Sequence, residues 1–199
     1  MNQILNKHHR RSIRLKGYDY SQAGLYFITI CCQDRICRFG KIENNEMILN
    51  EYGQIAFDEW MKLIERFSNF ELDVFQIMPN HVHGIIRVGA TLAVAQNDDD
   101  IGDDIGGNIG DNIGGNIRAT ARVVPTDIGM PGIVGAYKSL VVNGCLKIYK
   151  SKNKIMGKLW QRNYYEHIIR NEQSYQRISE YIINNPSKWK EDTFKPNFD

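Results

Sequence analysis

One segment, residues 78–88, constrains the fold more than any other part of the chain; it reads Met-Pro-Asn-His-Val-His-Gly-Ile-Ile-Arg-Val. Pro79 and Asn80 predict a turn, and the β-branched, apolar residues that follow favour a strand. Side chains alternate between the two faces of a strand, so His81 and His83 lie on one face and the intervening apolar side chains on the other. The two imidazoles are therefore either half of a metal site or incidental residues of a half-buried strand.

Composition indicates an ordinary globular chain. With 199 residues, of which 42% are hydrophobic, the chain can bury the core of one domain, or of one domain with an insertion. The sequence contains no apolar run of membrane-spanning length, and its basic first residues lack the apolar core of a secretory signal. The four cysteines show no zinc-ribbon spacing. We therefore expect no membrane partner and a cytoplasmic, nucleoid-associated location.

Charge is distributed unevenly along the chain. Residues 98–117 contain six acidic groups and no basic one, although the formal net charge is only +2. The basic residues concentrate at the ends, with five Lys and Arg against one acid in residues 1–24 and fourteen against seven in residues 118–199. A chain that is basic outside this acidic segment could bind a polyanion such as nucleic acid, but the same charge is equally compatible with a solvated basic surface.

Periodicity predicts an alternation of strands and helices. The β-branched and aromatic segments predict strands, a central Asn-Asn predicts a hairpin, and apolar residues at 3.6-residue spacing predict helices. The strands are expected at residues 24–32, 72–78 and 81–88, the hairpin at 39–49, and the helices at 50–67, with Asn50 as N-cap, 133–150 and 172–185.

The segment 97–117 repeats a four-residue unit of Gly, Asp and Asn with a single Ile. Such a sequence cannot bury enough apolar surface to offset the entropy of ordering, so we predict a flexible insertion. A calcium-binding β-roll would need longer repeats. The predicted organisation is a basic arm over residues 1–22 and one domain over 23–199, interrupted by this low-complexity insertion at about 95–128.

The last predicted helix has two polar side chains beside its buried stripe of Tyr175, Ile178 and Ile182. Tyr181 and Asn185 are four residues apart, so they lie one above the other on an adjoining face. If that face meets the two histidines, the site contains two imidazoles, a carboxamide oxygen and a phenol. The three ligands are neutral, so a bound Mg²⁺ or Mn²⁺ would keep its full charge for a phosphate.

Three motifs in order carry a family resemblance. They are Met-Pro-Asn-His-Val-His, Trp-Gln-Arg-Asn-Tyr-Tyr-Glu-His-Ile-Ile-Arg and Tyr-Ile-Ile-Asn-Asn-Pro. Together they resemble the REP-associated tyrosine transposases and the single-tyrosine transposases of insertion sequences, which belong to the HUH endonucleases. The resemblance implies that His81, His83 and Asn185 bind Mg²⁺ or Mn²⁺ and that Tyr181 is the nucleophile. The insertion-sequence relatives carry Gln where this chain has Asn185.

The resemblance also implies a fold and a reaction. The fold would be an α/β ferredoxin-like sandwich with an antiparallel sheet and helices on one face. Tyr181 would cut single-stranded or hairpin DNA, leaving a 5′-phosphotyrosine and a free 3′-hydroxyl that can reverse the reaction. The candidates for holding DNA are Lys138, Arg162, His167 and Arg170, with Arg11 and Arg14 of the basic arm. For each of the first four, surface charge or core hydrogen bonding is the alternative role. The protein would be a monomer or a homodimer.

Two other functions are compatible with the same residues. The first is a catalytically silent nucleic-acid-binding protein on the same fold, which uses only the basic ends and the aromatic residues. The second is a metal hydrolase with His81 and His83 as zinc ligands, which lacks an evident carboxylate or cysteine as third ligand nearby.

Overall fold

A computed structural model describes residues 23–68, 70–89 and 129–196 of the chain. The predicted basic arm, with Arg11 and Arg14, and the predicted insertion at about 95–128 lie outside the described residues. None of the helices in the described ranges is long and apolar enough to cross a membrane.

A four-stranded antiparallel sheet forms the centre of the described structure. In chain order its strands are β1 (Gly24–Cys31), β4 (Phe70–Met78), β5 (His81–Val88) and β6 (Tyr165–Ile169), and their order in the sheet is β4-β5-β1-β6. A separate two-stranded hairpin contains β2 (Gly40–Glu43) and β3 (Glu46–Leu49). Its turn residues Asn44 and Asn45 have positive φ angles of 51° and 65°, as a two-residue hairpin turn requires. The predicted strands and hairpin are thus confirmed.

Four α-helices accompany the strands in the described ranges: α1 (Glu51–Met61), α2 (Leu63–Arg66), α3 (Met130–Ser151) and α4 (Glu172–Asn184). The predicted N-cap is confirmed, because the Asn50 side chain accepts hydrogen bonds from the amides of Tyr52 and Gly53. Asn171 caps α4 in the same way through Ser174. The mixed architecture of antiparallel sheet and helices confirms the predicted α/β sandwich.

The larger core lies between one face of the sheet and the helices α1 and α3. Tyr26, Ile28, Val82 and Ile86 project from the sheet into this core and are fully buried. Trp60 of α1 packs so closely on β5 that a Cβ atom at Gly84 would lie 2.4 Å from its indole ring. The glycine between His83 and Ile85 therefore lets the helix layer approach the histidine strand.

The opposite face of the sheet is covered by α4. Phe27, Ile85 and Ile169 from the sheet form a smaller core with Ile182, while Tyr175 and Ile178 of α4 pack against it. The predicted buried stripe of this helix is confirmed. Because His81 and His83 share the face of Ile85, α4 lies on the same side of the sheet as the two imidazoles.

Four features differ from the sequence-based expectations. Helix α4 covers the face of the sheet opposite α1 and α3, whereas helices were expected on one face only. Strand β6 was not predicted, because its five residues alternate charged, aromatic and apolar side chains without a clear strand pattern. The single helix expected over residues 50–67 is two helices that meet at Lys62. Gly144, which weakened the prediction of α3, lies inside that helix where a Cβ atom would come within 2.6 Å of Ile55, so it permits close packing on α1.

Candidate active site

Strand pairing brings a hydroxyl to one of the histidines. In the register of β1 and β5, Thr29 lies opposite His83 and Cys31 opposite His81. Directly opposite residues of an antiparallel pair project from the same face, and Thr29 Oγ1 lies 2.8 Å from His83 Nδ1. The hydroxyl therefore fixes the orientation of the His83 ring, with Nε2 pointing away from the strand pair.

The turn before β5 orients the other ring. Asn80 Oδ1 lies 2.8 Å from His81 Nδ1, while Asn80 Nδ2 donates to the carbonyl oxygens of Arg35 and Phe194 at 2.8 and 2.7 Å. Since the amide nitrogen is engaged as a donor, Asn80 Oδ1 must accept, and His81 Nδ1 must carry the proton. His81 Nε2 is then left with a lone pair, which is the state required of a metal-binding histidine.

The two rings converge through their Nε2 atoms, which lie 2.9 Å apart. Both residues are buried, with 0% and 1% of their surface exposed for His81 and His83. Burial lowers the pKa of His83 to about 3, and burial together with His83 lowers the pKa of His81 well below its usual value. At this distance the Nε2–H group of His83 can donate to His81 Nε2, and the Thr29 hydroxyl then donates to His83 Nδ1. If both Nε2 atoms were to bind a metal ion, the His83 proton would lie on Nδ1 and the Thr29 hydroxyl would accept it in a hydrogen bond.

Tyr181 of α4 reaches this pair from the other side. Its hydroxyl oxygen lies 3.3 Å from His83 Nε2, and its ring packs edge-on against Phe27 with a centroid separation of 6.3 Å. The residue is 41% exposed, so solvent and a substrate can reach the side chain. Burial of the hydroxyl end and the neighbouring Asp192 carboxylate raise the pKa of the phenol. The phenol is therefore protonated at neutral pH.

Two buried oxygen atoms near this cluster have no hydrogen-bond partner among the described residues. One is Asn185 Oδ1, on a residue that is 3% exposed; the other is Asp192 Oδ2, on a side chain that is 4% exposed. Asp192 Oδ2 lies 3.8 Å from His81 Nε2. Within the described ranges, no three His, Cys, Asp or Glu side chains are grouped closely enough to hold an ion. To hold a metal ion, the imidazole pair would need an amide donor, or a carboxylate that moves nearer.

Asp192 was not among the residues singled out from the sequence. It follows the 3₁₀ turn Trp189–Glu191 in a lysine- and acid-rich stretch that resembles a solvated chain end. The only available signal was its position a few residues beyond Pro186, which suggests that the chain turns back beside α4. Burial of its side chain could not be foreseen from local sequence.

The candidates for holding DNA fall into two groups. Arg162, His167 and Arg170 are exposed on or beside strand β6 at the edge of the sheet. Lys138 is half-buried, and its ammonium donates to the carbonyl oxygens of Gln161 and Arg162 at 2.6 and 3.1 Å. Burial lowers the pKa of Lys138. The structure thus gives this lysine a role in holding the segment before β6.

A cavity of about 430 Å³ opens beside Tyr181 and His83. Its walls include the rings of Phe27, Tyr164, Tyr165 and Phe194, and the amide side chains of Gln161 and Asn163. Flat rings and amides are the groups that stack on and hydrogen-bond to unpaired nucleobases. The cavity therefore has the chemistry of a nucleotide-binding surface next to the phenol.

The chain is similar in sequence to known proteins. No model of a protein family matches the chain. An uncharacterised protein of Haemophilus influenzae (strain ATCC 51907 / DSM 11121 / KW20 / Rd) is 41% identical over 185 residues, which are 93% of this chain and 92% of that protein. A second protein of the same strain, named "Putative REP-associated tyrosine transposase", is 24% identical over 171 residues, covering 85% of this chain and 74% of its own length.

A solved structure has the same fold. It is described as a REP-associated tyrosine transposase bound to a REP hairpin, and the match covers 88% of this chain and 74% of that one, with a TM-score of 0.51 and 18% identity. The predicted resemblance is thus confirmed: the chain belongs to one family with the 41% identical Haemophilus influenzae protein, and in sequence and fold it is similar to the REP-associated tyrosine transposases.

Proposed function

We propose that this protein is a metal-dependent transposase or endonuclease that cuts and rejoins single-stranded or hairpin DNA through Tyr181. The observation that carries the proposal is the distance of 3.3 Å between the Tyr181 hydroxyl and His83 Nε2. These residues are 98 positions apart in the chain, yet a nucleophile and a pair of lone-pair nitrogens meet within one protomer. The site thus needs no residue from a second copy to unite them.

The residues at the site fit a divalent cation. Adjacent ligands in the octahedral shell of an ion such as Mg²⁺, each about 2.1 Å from the metal, lie about 3 Å apart. The separation of the two Nε2 atoms is 2.9 Å. His81 and His83 would hold the ion, and Asn185, with its unpartnered Oδ1, would be a third ligand. When bound, Mg²⁺ or Mn²⁺ would polarise a phosphate and stabilise the charge that develops on its non-bridging oxygens.

The chain itself would supply the nucleophile and its orientation. Tyr181 Oη would form a bond to phosphorus while the bond from phosphorus to the 3′-oxygen breaks. The phenolic proton would pass to solvent, to which Tyr181 is open, and the departing 3′-oxygen would take a proton from solvent. The products are a 5′-phosphotyrosine and a free 3′-hydroxyl, so the bond energy is conserved and the 3′-hydroxyl can reverse the step.

Thr29 and Asn80 would act as positioning residues. Both bond to the Nδ1 atoms of the histidines, at 2.8 Å in each case, and so direct the Nε2 atoms towards the ion. Such outer partners fix the tautomer and the ring orientation of metal-binding histidines. The Asn80 amide also binds the carbonyl oxygen of Phe194, which ties the C-terminal segment to the site.

DNA is the proposed substrate because of what surrounds Tyr181. The aromatic cavity beside the phenol would accept a nucleotide next to the cut phosphodiester. Exposed Arg162, His167 and Arg170 lie along the adjoining edge of the sheet and would contact phosphates. The solved structure of similar fold is described as bound to a REP hairpin, which supports hairpin DNA as the ligand to test first.

The test is capture of the covalent intermediate. Hairpin oligonucleotides taken from palindromes beside the gene, labelled at the 3′ end, are incubated with protein and Mn²⁺ and separated under denaturing conditions. Wild type is expected to give a labelled protein band, and Tyr181→Phe none. Tyr165→Phe, a tyrosine of the same cavity, is the matched control and should keep the band.

Two results would contradict the proposal. A band from Tyr181→Phe that disappears in Tyr164→Phe or Tyr165→Phe would assign the nucleophile to a cavity tyrosine. Absence of a band from wild type that nevertheless binds the hairpin would favour the alternative of a catalytically silent nucleic-acid-binding protein.

A further inference from the structure

The C-terminal segment places a buried acidic side chain beside the two histidines. Asp192 lies beyond α4, after the 3₁₀ turn Trp189–Glu191. One carboxylate oxygen, Oδ1, accepts a hydrogen bond of 2.7 Å from the Phe194 amide. The other, Oδ2, is buried, has no hydrogen-bond partner in the part of the chain that the structure describes, and lies 3.8 Å from His81 Nε2. A buried polar atom without a partner is costly, and a charged one more so, unless something compensates for it.

His81 provides no proton to compensate for this oxygen. His81 Nδ1 carries its proton towards Asn80 Oδ1, so the Nε2 atom facing Asp192 presents a lone pair. Asn185 Oδ1, the neighbouring unpartnered atom, is also an acceptor. Once the N–H that the two imidazoles share is displaced, the Nε2 lone pairs of His81 and His83 and the Asp192 carboxylate face one buried spot. A cation at that spot would satisfy them together.

We propose that Asp192 supplies a carboxylate oxygen to the divalent cation held by His81 and His83, an inference that rests on the proposed metal dependence. The three neutral donors expected from the sequence would leave the ion with its full double charge; a carboxylate reduces that charge by one and strengthens binding of a hard cation. A small rotation of the Asp192 side chain, which Asn185 and the Phe194 amide flank, closes the gap. The carboxylate ligand would thus come from the segment that follows α4, the helix that carries Tyr181.

A competing role for Asp192 is structural, as the counter-ion of a protonated His81. The two roles make opposite demands on the metal-free protein. If Asp192 is a counter-ion, its removal would destabilise the fold, and the folded protein would bind the metal as tightly as before. Removing an unpaired buried carboxylate would leave the metal-free fold equally stable or more stable and would weaken metal binding.

The experiment titrates the full chain with Mn²⁺ and follows the free ion by electron paramagnetic resonance, without DNA. Asp192→Asn is expected to raise the Kd for Mn²⁺ at least tenfold, in the range seen when partners of a metal site are removed. The melting temperature of the metal-free variant should be no lower than that of wild type. Glu191→Gln is the matched control, since this adjacent acid is exposed, and it should bind Mn²⁺ like wild type.

A second variant keeps the test decisive if Asp192→Asn folds poorly. Asp192→Cys places a thiolate at the same point, and soft thiolates prefer Cd²⁺ to Mn²⁺. The variant should gain an ultraviolet thiolate-to-cadmium absorption band above the wild-type background, and Mn²⁺ should no longer compete effectively with Cd²⁺.

The outcomes separate this inference from the function on which it rests. Unchanged Mn²⁺ affinity in Asp192→Asn, with no new cadmium band in Asp192→Cys, would overturn the carboxylate ligand and leave the histidine site standing. Failure of wild type to bind Mn²⁺ would overturn both the metal dependence and the Asp192 ligand. An Asp192→Asn protein of lower melting temperature and unchanged affinity would assign Asp192 the structural role.

Discussion

The two buried imidazoles make the stability of the metal-free protein sensitive to mild acid. In the unfolded chain a histidine has a pKa of about 6.5, whereas burial lowers the pKa of His83 to about 3 and that of His81 well below its usual value. The folded state therefore binds fewer protons than the unfolded state below about pH 6.5. Stability is fully present above that pH and is lost as the pH falls towards the folded-state values.

The magnitude follows from proton linkage. At about pH 5.5, one unit below the unfolded pKa, each imidazole that must stay neutral in the folded state costs about 1.4 kcal/mol relative to about pH 7.5. His81 and His83 together should lower the free energy of unfolding by about 3 kcal/mol over that interval. This is a large fraction of the total stability of a typical domain.

Urea unfolding of the metal-free protein, followed by tryptophan fluorescence at a series of pH values, measures this loss. The matched control is the double variant His81→Gln, His83→Gln, whose amides do not titrate; its free energy of unfolding should change far less between the two pH values. Equal pH dependence in wild type and double variant would refute the conclusion that both histidines are held neutral.

Three further predictions concern the surroundings of the site. Gly84→Ala forces a methyl group against the Trp60 indole, which should cost about 1–3 kcal/mol and lower the melting temperature by several degrees, at about 2–4 °C per kcal/mol; an unchanged melting temperature would contradict the close packing. Lys138→Met removes two hydrogen bonds to carbonyl oxygens and should lower the free energy of unfolding by about 2 kcal/mol without changing the salt dependence of DNA binding. Arg170→Ala should leave the free energy of unfolding unchanged and reduce the slope of log K for DNA binding against log salt concentration by about one. A slope reduced by Lys138→Met and not by Arg170→Ala would reverse these two assignments.

Local sequence determined on which faces of their strand and helix the residues of the candidate site lie. Alternation along a strand placed His81 and His83 on one face, and helical spacing placed Tyr181 beside a buried stripe that ends in Ile182. The Asn50 cap and the Asn44-Asn45 turn were equally readable, because caps and turns depend on a few neighbouring residues and their backbone angles. The family resemblance then indicated how these parts are assembled.

Long-range pairing decided the rest. The bond from Thr29 to His83 depends on the register of two strands, and burial of Asp192 depends on the path of the chain after α4; neither leaves a local pattern in the sequence. Lys138 was a candidate for holding DNA because composition reports charge but not the carbonyl oxygens that another segment brings near it. Periodicity thus specifies which face a side chain occupies, whereas only packing between distant segments fixes which atoms meet there and whether water can reach them.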